Sequence, residues 1–75
     1  MYFVLELQKL DATQHAILTY HDDNWTFQQA QSVFFGKCQS AAISAIPEHT
    51  VMLVDVEGSV YETKVFMHEQ PTNPA

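Results

Sequence analysis

The residues most able to do chemistry are few. The histidines are His15, His21, His49 and His68. A hairpin that sets His49 opposite Phe66 makes His68 the diagonal neighbour of His49 on the same face, about 7–8 Å away. His49 and His68 are therefore the weak metal candidates of this chain. A structural zinc site asks for four ligands and a catalytic one for three, and the nearest carboxylates, Glu48 and Glu69, fall on the opposite face or in the tail. The pattern predicts no metal site and no cofactor. Cys38 lies on an apolar helical stripe, where burial would raise its pKa and silence it as a nucleophile. His21-Asp22-Asp23 could suggest acid–base work, but it directly precedes a helix start and reads as a solvated, capping loop. The serines lack a nucleophile elbow. The chain has only two glycines, too few for a phosphate-cradling loop. With no catalytic residues to name, the sequence reads as that of a protein that is not an enzyme.

These side chains must be positioned by a small set of elements. Residues 2–10 alternate, with Phe3, Leu5 and Leu7 on one side and Val4, Glu6 and Gln8 on the other, the period of a half-buried strand. Residues 11–14 are a polar break, and residues 15–20 alternate again. A turn pairing Leu10 with His15 sets Leu7 opposite Leu18 and Leu5 opposite Tyr20. Thr26 and Gln29 have the spacing of a capping box. The apolar positions Phe27, Ala30, Phe34, Cys38, Ala41 and Ala45 then recur at steps of three and four, an amphipathic helix of about 20 residues ended by Pro47. Residues 50–56 and 59–68 form a second hairpin around Glu57-Gly58, pairing Val56 with Ser59, Val54 with Tyr61 and Met52 with Thr63.

The reading is an α+β fold of ββαββ type: a four-stranded antiparallel sheet in order 2-1-3-4, with one long helix on one face. The helix returns the chain across the sheet by a right-handed crossover; order 1-2-4-3 is the second choice. Residues 1–68 form one domain and residues 69–75 a disordered C-terminal tail. In this reading the helix covers Phe3, Leu5, Met52 and Val54. The outer face then carries Val4, Ile17, Val51, Leu53, Val60 and Phe66 beside Glu6, Thr19, Asp55, Glu62 and Lys64. Apolar content of that kind marks a partner surface.

Charge narrows the function classes. Nine acids face three lysines (Lys9, Lys37, Lys64) with no arginine, for a net charge of −6. Binding to nucleic acid needs phosphate neutralisation, and an anionic membrane surface asks for the same, so neither is expected as a partner. Hydrophobic residues make up 47% of the 75-residue chain, which excludes a disordered acidic segment. A lone cysteine, no basic leader before the apolar start and no long apolar run predict a cytoplasmic location. A core this small supplies little stability without staples, and oligomerisation is the remaining way to add buried area.

The stretch from Ala41-Ala42 through Ser44, Pro47 and His49-Thr50 to Asp55-Val56-Glu57-Gly58, closed by Phe66 and His68, resembles small uncharacterised proteins encoded by phages and prophages of Gram-positive bacteria. The resemblance spans residues 26–68. In that group a mid-helix aromatic is often followed by His, whereas Phe34 is followed here by Phe35. What the resemblance implies is context alone: a phage or prophage accessory protein. Together these readings point to a small, acidic, non-catalytic interaction protein. It is expected to be a homodimer and to bind a host or phage protein. The alternative is a small-ligand or metal-binding module using the sheet edge or a dimer cleft.

Overall fold

A computed structural model describes residues 1–68; the tail expected over residues 69–75 lies outside the described residues. The elements are β1 (Tyr2–Lys9), β2 (His15–His21), α1 (Phe27–Ala42), β3 (Glu48–Asp55) and β4 (Val60–Met67). The strands form one antiparallel sheet in order β2-β1-β3-β4, the arrangement expected from the sequence.

α1 begins where the capping box puts it. The Gln29 amide donates to the Thr26 hydroxyl at 3.1 Å, and Gln29 Oε1 accepts from the Thr26 amide at 2.9 Å. Asp22 organises the turn just before, accepting from the Asn24 amide at 2.8 Å. The helix is shorter than expected, 16 residues rather than about 20. It stops at Ala42 because Ser44 competes with the helical pattern: the Ser44 amide donates to the Ala41 carbonyl and its hydroxyl accepts from the Ile46 amide at 3.1 Å. Ala30, Phe34 and Ala41 on the expected stripe are buried, with Phe27, Val33 and Cys38 packed beside them; Ala45 lies beyond the helix and is exposed.

Both hairpins are shaped by an aspartate. Asp11 accepts from the amides of Thr13 and Gln14 at 2.8 and 2.9 Å, an Asx-type turn. This widens the loop by one residue, so Lys9 rather than Leu10 faces His15, Leu7 faces Ile17 and Leu5 faces Thr19. A one-residue change in register exchanges the faces of a strand, and β2 accordingly presents Ala16, Leu18 and Tyr20 with Val4 and Glu6 rather than with Leu5 and Leu7. In the second hairpin the expected register holds from Glu48↔Met67 to Leu53↔Glu62 and then slips, so that Val54 faces Val60 and Tyr61 is bulged out. The cause is Asp55, whose Oδ1 accepts from the amides of Glu57 and Ser59 while its Oδ2 accepts from the Tyr61 hydroxyl at 2.7 Å. Gly58 takes the positive φ of 90° that closes this turn.

The sheet lies on α1 by the face opposite to the one expected. Val4, Val51 and Leu53 are fully buried with Phe34, Ala30 and Ala41. Phe3, Leu5, Met52 and Val54 look away from the helix, on the side shared with the exposed Leu7, Ile17 and Val65. At one end the core is closed by Tyr2, Phe27 and Tyr61, whose rings meet edge-to-face at centroid distances of 5.3 to 5.9 Å. The bulge is what turns Tyr61 into this group.

Gly36 sits in α1 with nothing near the position a Cβ would occupy. Gly36→Ala is expected to stabilise the fold by about 1 kcal/mol through helix propensity alone; chemical denaturation measures it, and a loss of stability would mean the helix face is misplaced. The Asp55–Tyr61 bond carries a pH signature. The carboxylate pushes the Tyr61 hydroxyl up from 10.0 to about 12, so its stabilising contribution is complete below the ordinary tyrosine range and is lost as pH rises from 10 toward 12. Tyr61 and the two turn amides hold the Asp55 carboxyl below its usual 3.8, so that contribution is present above this value and lost as pH falls through the lowered one. Tyrosinate absorbance should show a late-titrating component in the wild type that Tyr61→Phe removes.

Candidate functional site

The polar groups of the inner sheet face converge beneath the C-terminal half of α1. Glu6 on β1 and His49 on β3 are both buried, at 6% and 2% exposure, and lie 2.7 Å apart from Glu6 Oε2 to His49 Nδ1. An ionised carboxylate can only accept, so Nδ1 carries the hydrogen. Gln8 donates from Nε2 to the same Glu6 oxygen at 2.7 Å. The register makes this geometry: Gln8 faces His49 and Glu6 faces Val51 across the β1–β3 ladder, so Glu6 and His49 are diagonal neighbours on one side. A crevice of about 220 Å³ opens beside the pair, bordered by Tyr20, Lys37, Ser40 and Ser44. Lys37 Nζ lies 3.9 Å from the centroid of the Tyr20 ring, a cation–π contact that closes part of this margin.

A carboxylate-oriented imidazole is the arrangement of a general base. Here its far nitrogen is sealed: His49 Nε2 is buried and has no hydrogen-bond partner among the described residues. The hydroxyls bordering the crevice are engaged locally, Ser40 donating to the Gly36 carbonyl at 3.2 Å and Ser44 accepting from Ile46. The hydrogen bond ties the two central strands together.

His68 comes near His49, with ring centroids 6.1 Å apart. Their ring nitrogens are turned to other tasks. His49 Nδ1 faces Glu6, and His68 Nε2 donates to the Ala41 carbonyl at 2.7 Å, satisfying the end of α1. Among the described residues no three His, Cys, Asp or Glu side chains come together as a ligand set. His21 packs its ring against Phe3 at 5.3 Å on the opposite sheet face, while Asp22 holds its turn, so the His21-Asp22-Asp23 run does not assemble. Cys38 is half-buried against the core, and burial raises its thiol pKa, with Lys64 opposing and Glu62 and Glu6 adding to the rise.

The interface expected from the sequence needs correction. Val4, Val51 and Leu53 are core residues and Phe66 packs against them. Glu62 turns toward the helix side, where Gln31 Nε2 donates to it at 3.5 Å. Only Ile17 and Val60 of the expected set look outward, at 71% and 52% exposure. The reason is the Glu6–His49 bond: two polar side chains that would mark a strand face as solvent-facing satisfy each other and go inside.

The open face that results has a simple composition. Across the sheet run His15–Lys9–Glu48–Met67, Ile17–Leu7–Thr50–Val65, Thr19–Leu5–Met52–Thr63 and His21–Phe3–Val54–Val60. Its acid and lysine, Glu48 and Lys9, pair with each other at 3.6 Å. A shallow hollow of about 360 Å³ lies at the β2 end, between Leu7, His15, Ile17 and Thr50. Among the described residues no helix is long and apolar enough to cross a membrane.

Removing one member of a buried pair strands the other. Glu6→Ala is expected to cost about 3 kcal/mol or more, whereas the double variant Glu6→Leu, His49→Leu recovers much of the loss. Denaturant unfolding of both variants tests this; equal losses for the single and the double variant would sink the pairing. The chain matches no protein-family model, no curated protein and no solved structure, and the geometry of these two faces is what a functional reading has to stand on.

Proposed function

We propose that this chain is a small non-catalytic interaction protein that acts as a homodimer and binds another protein through the open face of its sheet. The single observation behind this is the open face itself. Four strands about 4.8 Å apart and seven or eight residues long make a face of about 500 Å², and α1 covers only its other side. The patch carries Phe3, Leu5, Leu7, Ile17, Met52, Val54 and Val65, and its acid–lysine pair leaves it neutral on a chain of net charge −6. A face of this extent with seven apolar side chains matches the largest patch of a typical monomer, which often serves a partner. The net acidity speaks against nucleic acid as that partner. The likeness of residues 26–68 to small phage and prophage proteins supports a phage or host protein, met in the cytoplasm.

The two faces answer differently to the same charge. Leu53→Lys is expected to unfold the chain, because burying an unpaired charge costs several kcal/mol, comparable to the whole stability. Met52→Lys, one residue away on the open face, should stay folded and change stability by less than about 1 kcal/mol. Affinity capture then separates docking from folding. A protein retained by the wild type and by Gln39→Lys, on the solvent side of α1, should be lost with Met52→Lys. Equal capture by all three would end the open-face reading.

A further inference from the structure

The two edges of the sheet are not alike. β4 is guarded: it carries Glu62 and Lys64, and the bulge at Tyr61 breaks its regular course. These are the devices by which proteins blunt an edge against further pairing. β2 has none of them. Its seven residues, His-Ala-Ile-Leu-Thr-Tyr-His, include no Lys, Asp, Glu, Pro or Gly. It is also the strand least supported by the helix, since α1 packs over β1, β3 and β4. Ile17 and Leu18, on opposite sides of the strand, are both exposed, at 71% and 37%. Among the described residues nothing pairs with the outer edge of β2.

We infer that the outer edge of β2 is the homodimer interface, where β2 of one copy pairs antiparallel with β2 of a second copy about a twofold axis at Leu18. This rests on the dimer proposed above and names its surface. The occupant is indicated by the strand's own pattern. Centring the antiparallel pair on Leu18 aligns all seven residues, and no pair sets one fixed charge or one bulky aromatic against another of its kind. Ala16 meets Tyr20 of the second copy, a small side chain against a large one. Ile17 meets Thr19, a β-branched pair of the kind that stabilises sheets. Leu18 meets itself, joining two exposed leucines on the helix side. His15 meets His21, so no fixed charge faces another within the pair. Antiparallel pairing of this length supplies about six to eight backbone hydrogen bonds to groups that water alone would satisfy. A twofold interface must be self-complementary, and β2 meets that demand. The product is a continuous eight-stranded sheet with both helices on one side, which joins the two open faces into one platform.

Light scattering after size exclusion tests this on the full chain. The wild type should have twice the monomer mass. Leu18→Lys sets two ammonium groups against each other at the axis and should give a monomer with an unchanged circular dichroism spectrum, while Met52→Lys stays dimeric. In a Cys38→Ser background with added oxidant, Leu18→Cys should give a covalent dimer, because the two thiols face each other across the axis and a small approach of the strands brings their Cβ atoms to the roughly 4.5 Å that a disulfide spans. If Met52→Lys dissociates the dimer and Leu18→Lys does not, the interface is the open face: the β2 assignment falls and the dimer stands. A wild type that remains monomeric at high micromolar concentration overturns the dimer and the interface together. Amide protection over residues 15–21 that appears only when a different protein is added reassigns the edge to a foreign strand.

Discussion

The fold turns on a carboxylate and an imidazole that lie 43 residues apart in the chain and share one hydrogen bond under the helix. Neither can be buried alone without a large desolvation cost. The bond therefore requires β1 and β3 to be neighbours and requires the faces of both strands that carry Val4, Val51 and Leu53 to look toward α1. Order β2-β1-β3-β4 meets that condition. The competing order 1-2-4-3 would put β1 and β3 on opposite edges, where Glu6 and His49 could not meet. Polar satisfaction thus selects between two topologies that apolar patterning leaves nearly equal.

The same bond explains where the sequence is legible and where it misleads. Local chemistry is plain in the chain: Thr26 and Gln29 cap the helix, Ala30, Phe34 and Ala41 line its buried stripe, and residues 48–53 find their expected partners on β4. The side of the sheet that faces inward is not plain. Phe3, Leu5 and Leu7 outweigh Tyr2 and Val4 on the alternate face, where Glu6 and Gln8 follow, so alternation favours burying them. That weighing treats Glu6 and His49 as marks of solvent, which they are only if unpaired. The signal that corrects it is available once β1 and β3 are placed side by side, because register then sets Glu6 diagonal to His49. The β1–β2 register depends on one side chain, Asp11, whose turn adds a residue to the loop. His68 is likewise better understood as the group that receives the end of α1 than as a ligand in waiting.

Burying a polar row has a cost that appears on the other side. Apart from Glu48, which pairs with Lys9 on the open face, the described carboxylates lie in turns, at the helix entry and on the helix side, and the broadest apolar surface is left on an uncovered face with a neutral charge. Repulsion among the acids disfavours indiscriminate association of copies, yet little of that charge lies on the open face itself. Charge and apolar surface are thus allotted to different parts of one small molecule, which suits the interaction role proposed above. The guarded β4 edge and the unguarded β2 edge repeat that division along the sheet's margins.

The central β1–β3 ladder also has a kinetic consequence. Each hairpin is local and can close within about 1–10 μs, but neither encloses a core. α1 gains its floor only when residues near the start of the chain meet residues some forty positions later, and that long closure comes before most of the reward. The slow event in folding is therefore the joining of two preformed hairpins. Its transition state should hold the free edge of β1 against the free edge of β3, with each hairpin already closed. During that interval β1 and β3 each present one unpaired edge, so the encounter of β1 with β3 competes with encounters between chains, and the balance will shift with the concentration at which the protein is made.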